Sequence, residues 1–126
     1  MRSYRFPLFL LALLLSACLI NSAWLSRRCA GWTEALDAID RCTLMDDWNT
    51  AEAQLEDLYL DWLSVQTWLH ITIEHEELNE AEALFCRSMV LVEEEDSVEF
   101  RAHLADLHSQ LQLLCELEQL SIANVL

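Results

Sequence analysis

The side chains with reactive groups are few, and their spacing limits what they can do. Four histidines stand in two pairs, His70 with His75 and His103 with His108, each pair five residues apart. Helical zinc sites use ligands at i and i+4, which share a face. Five apart along one helix, the members of each pair diverge. Glu74 adds an i+4 partner for His70, but two ligands do not complete a metal site. No Ser, Thr or Cys stands in a nucleophile motif. Asp40, Asp61 and Asp106 fall off the apolar seams described below, and no carboxylate is expected inside one, where burial would raise it toward the range of a catalytic acid. The acidic run Glu93 to Asp96 lacks the spacing and the glycine of an EF-hand loop and reads as a solvated turn. We therefore expect no catalytic, cofactor-binding or metal-binding residue, and a protein that is not an enzyme.

Five cysteines remain to be placed. Leu15-Ser16-Ala17-Cys18 matches the pattern that precedes a lipidated cysteine, which makes Cys18 a candidate lipidation site behind a signal peptide over residues 1–17. The residues after it, LINSAWL, are apolar, whereas a lipid tether normally continues as a polar leash. The competing reading is an uncleaved signal anchor. In an antiparallel bundle Cys29 and Cys115 come to the membrane end, while Cys42 and Cys86 sit at different heights. Outside the cytoplasm one bridge can form; reduced core cysteines are equally consistent with the pattern.

These residues must be positioned by helices. The chain has 126 residues with one glycine, Gly31, and one proline, Pro7. Turns and phosphate loops lean on those two residues, so their scarcity excludes a β-rich fold and Gly-rich nucleotide motifs. From Phe6 to Leu25 there is no charge over 20 residues, enough to cross a bilayer as a helix. Arg2 and Arg5 precede this run and Arg27 and Arg28 follow it; with the terminal amine, the count slightly favours an N-terminus held inside. Residues 1–28 are read as the anchor and 29–126 as an acidic helical domain. From Cys29 onward 3 Arg face 22 acids, 3 − 22 = −19 by formal count. Such a surface repels phosphate, so a nucleic-acid partner is excluded.

Apolar residues at alternating spacings of three and four mark four helices. The first stripe is Leu25, Cys29, Trp32, Leu36 and Ile39, in phase with Cys18 and Ser22, so the anchor is expected to run on into the domain through Gly31. Asp46-Asp47 offers an N-cap to the second stripe, Trp48, Ala51, Leu55, Leu58, Trp62, Val65, Leu69 and Thr72. A break is expected around Glu74 to Asn79, with His75 at the end of the second helix, where the negative dipole end and Glu74, Glu76 and Glu77 favour a cationic ring. The third stripe is Leu78, Ala81, Phe85, Met89 and Val92. Asp96 and Glu99 fit a capping box opening the fourth: Phe100, Leu104, Leu107, Leu111 and Leu114, with Leu117 and Leu120 alongside. Short connections imply an all-α, antiparallel up-and-down four-helix bundle behind the transmembrane helix, with paired coiled-coil hairpins as the alternative.

Trp48 with Ala51 at the start of the second helix, Trp62 two heptads on, His75 with Glu77 at the next break, and terminal Asn124-Val125-Leu126 resemble a family catalogued as domain of unknown function 4363. Its members are small bacterial proteins with a basic start, one membrane segment and a helical domain of similar size. The resemblance implies anchoring and fold, a structural role for Trp48, Trp62, His75 and Asn124, and no activity. The expectation is a single-pass cell-membrane protein with its acidic domain outside the cytoplasm, serving as an interaction module for a protein partner. The alternative is a divalent-cation-binding or sensing module.

Overall fold

Leu, Ala and Glu favour helix, and helix is what nearly the whole chain forms. The computed structural model describes residues 2–125, with side chains for all of these except Arg2, Trp68, Ile71, Thr72 and 121–125. After a short 3-10 turn, Arg2–Tyr4, come α1 (Arg5–Leu44), α2 (Trp48–Thr72), α3 (His75–Glu94) and α4 (Ser97–Val125). Among the described residues there is no strand. The membrane-type segment and the first bundle helix are one continuous helix of 40 residues, α1. Gly31 does not interrupt it.

Neighbouring helices pack pairwise, α1 on α2, α2 on α3, α3 on α4 and α4 back on α1, while the diagonal α2 and α4 barely touch. This is an up-and-down bundle rather than a pair of separate hairpins. Its core is the four seams brought together: Trp32, Leu36 and Ile39 from α1, Leu55, Trp62 and Leu69 from α2, Leu78 and Phe85 from α3, and Phe100, Leu107 and Leu111 from α4 are all buried. The core begins at Leu25, inside the uncharged run.

The turns use side chains where glycine is scarce. Asp47 caps α2, accepting from the Thr50 N–H at 3.3 Å. Asp96 accepts from the Glu99 N–H at 3.2 Å, the forward half of the capping box. Asp46 (φ 58°) and Glu95 (φ 55°) close α1 and α3 in the left-handed region, where a side chain costs about 1–2 kcal/mol relative to glycine. The break after α2 falls at Ile73 and Glu74, both extended. His75 therefore opens α3 rather than ending α2. The nearer helix end is the positive one, and the dipole argument for a cationic ring at His75 does not hold.

Between α2 and α3, Tyr59 lies against Phe85 (ring centroids 5.3 Å) and its hydroxyl donates to Glu82 Oε1 at 3.4 Å. Burial first, then the charges of Glu82 and Cys86 and the bond to Glu82, push the phenol above its ordinary value of 10.0. The folded state thus holds the neutral phenol more tightly than the unfolded chain. That stability is complete below the unfolded value and is lost as pH rises through the folded one. In denaturant melts at stepped pH, Tyr59→Phe should lose stability less steeply than the parent above about pH 10. Equal slopes would contradict this account.

Candidate functional site

The chemistry-bearing residues gather at the two ends of the bundle. At the end nearer the N-terminal apolar run, α1 carries Trp24, Arg28 and Cys29, with Trp32 one turn beyond Arg28. The Arg28 guanidinium lies over the Trp24 ring, 5.2 Å from its centroid, and donates to Asp61 Oδ1 on α2. Trp32 Nε1 donates to Asp61 Oδ2 at 2.8 Å. Both oxygens of Asp61 are thus held, one by a cation and one by an indole. This side chain clasps α1 to α2 and is engaged rather than poised as a base. Beside it Cys29 is joined to Cys115 by a disulfide, with Cα atoms 6.3 Å apart. The sequence left bridge and free thiols open; the structure forms the bridge, because the antiparallel register brings the first and last helices together at this height. Cys18, Cys42 and Cys86 are free.

Glu118 corrects the expectation that no carboxylate sits in an apolar seam. It is fully buried and engaged in a contact at this same end. The spacing was available: Leu107, Leu111, Leu114 and Glu118 continue one seam at steps of four, three and four. His70 and His75 correct a second expectation. The helix breaks between them, so the five-residue spacing no longer separates them, and their rings meet edge to face at 4.7 Å. His103 and His108 do stay on one helix; His103 Nδ1 lies 3.0 Å from the Glu99 carbonyl.

Along the outside, Arg101 reaches from α4 to Asp40 on α1, with Nε 2.7 Å from Oδ1. That hydrogen bond, then the carboxylate's charge, raises the guanidinium pKa further. A shallow groove between α1 and α4 runs past this pair and His108. Among the described residues no three of His, Cys, Asp and Glu converge as metal ligands.

The distal end has a different character. Leu44, Met45 and Val98 are exposed there, Met45 at 80 %. Around them stand the acids of the two tip turns, Asp46, Asp47, Glu95 and Asp96. Trp48 lies just behind, half-buried against Phe100 at 5.7 Å. Trp62 sits mid-core, fully buried between Tyr59 and Phe85. Asn124 lies outside the residues whose side chains are described.

Along α1 itself, an 18-residue window has a mean hydropathy of 2.2 and almost no burial in the bundle. By length and composition this helix can cross a membrane. Residues 19–125 match the family model described as Domain of unknown function (DUF4363). No curated protein and no solved structure matches the chain.

Proposed function

The chain belongs to the family described as Domain of unknown function (DUF4363), and from that premise we propose that it is a non-enzymatic interaction module tethered to a membrane, with its acidic bundle on the outer face and a protein partner at the distal end. The observation that carries this reading is the continuity of α1. The same helix supplies the exposed apolar run and, from Leu25, the first wall of the core. The bundle has no leash and stands directly on its anchor. The Cys29–Cys115 disulfide supports the outer placement, since such bonds persist in oxidising compartments and are reduced in the cytosol. The exposed apolar residues at the far end, Leu44, Met45 and Val98, give a partner something to bury, and the acidic rim favours a partner that is basic around the contact.

The uninterrupted helix through Cys18 favours an uncleaved anchor over a lipidated cysteine. Half-buried Asn21 and Ser22 continue the seam into Leu25 instead of forming a polar tether. In a bacterial host the full-length protein should pellet with membranes and resist alkaline extraction. A membrane-impermeant maleimide should label exposed Cys86 in intact spheroplasts. Labelling only after lysis would place the bundle on the other side. Loss of acyl label and a changed mature mass in Cys18→Ala would establish the lipoprotein form, and recovery in the soluble fraction would sink both.

A further inference from the structure

The acids of the two tip turns divide into two kinds. Asp47 and Asp96 serve the fold: each accepts from a backbone N–H and caps the helix that follows. Asp46 and Glu95 do not. They stand at the left-handed ends of α1 and α3, with φ 58° and 55°, where glycine is the usual occupant because it has no side chain to clash. Among the described residues neither carboxylate takes a hydrogen bond or an arginine. The fold thus carries two strained positions whose side chains it does not use, and both side chains are charged and exposed.

Beside them lies apolar surface that the core does not cover. Leu44 is 62 % and Val98 78 % exposed. A cleft of about 340 Å³ opens between the end of α1 and the start of α4, with Leu44, Val98 and Asp46 along it. Arg101 also lines this cleft, its charge met by Asp40. A second depression, lined by Asp46, Trp48 and Glu95, brings the two turns together. Lipid does not reach this surface: on the anchored reading the tip stands about 30 Å above Leu25 along α1. A second copy brings the same excess of acids, 22 against 3 Arg from Cys29 onward, so two tips repel. Charge complementarity leaves a cationic partner with an apolar side chain to bury.

We propose that the tip binds a basic segment of another protein, with one large apolar side chain of that segment in the cleft between Leu44 and Val98 and lysine or arginine on either side of it meeting Asp46 and Glu95. The proposal rests on the reading of the distal end as the partner site and gives that partner its chemistry. Its test uses the full-length chain in phosphatidylcholine vesicles, with protein-free vesicles subtracted. The probe is a fluorescein-labelled peptide with one tryptophan between two pairs of lysines, followed by anisotropy at physiological salt. Companion peptides carry glycine for the tryptophan or glutamate for the lysines. The parent should bind the probe about tenfold more tightly than the glycine peptide and should not bind the glutamate peptide. Leu44→Ser with Val98→Ser should weaken the probe about tenfold. Asp46→Gly with Glu95→Gly should weaken it about fivefold and raise the melting temperature, because glycine suits the left-handed backbone. A purely structural role for the two acids would move stability alone. Absence of binding to the parent overturns the proposal. Equal binding by the parent and both double variants means that the diffuse charge of the bundle attracts the probe, and overturns the distal reading as well. A glutamate peptide held as tightly as the probe, and released by Leu44→Ser with Val98→Ser, keeps the distal site and overturns its cationic chemistry. Energy transfer between labelled copies that the same variant abolishes assigns the surface to a second copy and overturns the proposal too.

Discussion

Replacing Cys29 or Cys115 with serine should lower the stability of the protein by about 2–5 kcal/mol. The two cysteines are 86 residues apart, so the bridge closes nearly the whole bundle into one loop. In the chain-entropy account, a loop of that length denies the unfolded state about 4.5 kcal/mol of freedom, an upper figure because native strain and residual structure subtract from it. The bridge also joins the first and last helices, which no short turn connects. Reductant should bring the parent down to the level of either variant and leave the variants unchanged. The double variant should be no less stable than the single ones. Denaturant melts of the full chain in mild detergent, with and without dithiothreitol, check all of this, and a parent indifferent to reductant would show that the bond is not formed. A truncated soluble form should begin before Leu25, because a later start removes a core residue and, past Cys29, the bridge as well.

The second large effect is expected at Trp62. Trp62→Ala should cost about 3–5 kcal/mol, the range for emptying a large aromatic site. Its ring has no exposure, and it packs 5.3 Å from the Phe85 centroid and 6.3 Å from that of Tyr59. A domain of this size has about 5–15 kcal/mol in all, so the variant should sit near the edge of folding. Trp62→Phe should lose less than half as much. Phenylalanine keeps most of the volume and removes an indole N–H that finds no acceptor among the described residues, and a stranded buried donor costs about 1–3 kcal/mol. Calorimetry of the two variants together distinguishes packing from hydrogen bonding. An unchanged melting temperature for Trp62→Ala would move the residue out of the core.

The parts of the fold that depend on local periodicity were legible in the sequence. Of the stripe from Trp48 to Thr72, Ala51, Leu55, Leu58, Trp62, Val65 and Leu69 are buried, Trp48 is half-buried and the side chain of Thr72 lies outside those described, and Asp47 and Asp96 cap the helices they precede. These features need only the 3.6-residue repeat and the chemistry of a helix end. What depends on register between helices was not legible. Arg101 and Asp40 are 61 residues apart, and nothing in either neighbourhood marks the other. Asp61 looked idle because its partners, Arg28 and Trp32, lie on another helix. Whether Cys29 met Cys115 turned on the same unknown. The misplacement of His75 has another source, a helix break shifted by a single turn: two extended residues, Ile73 and Glu74, reverse the dipole that the ring meets and bring His70 beside it. Glu118 fits the seam by spacing, but a carboxylate's hydration argues against a core position, so its burial is not legible from residue type.

The unbroken α1 has a mechanical meaning. A rod of 40 residues is about 60 Å long, and it carries the tip residues Leu44 and Met45 at its upper end. A domain on a flexible leash would search a hemisphere above the bilayer. One built onto its anchor is held at a set height, about 30 Å above Leu25, and sweeps only the arc its tilt permits. A tilt of about 20°, ordinary for a spanning helix, swings the end of such a lever sideways by about 20 Å. On the anchored reading proposed above, a partner that meets the tip would have to present itself at that height, and a change in bilayer thickness that altered the tilt of the anchor would be converted directly into lateral travel of Met45 and its neighbours.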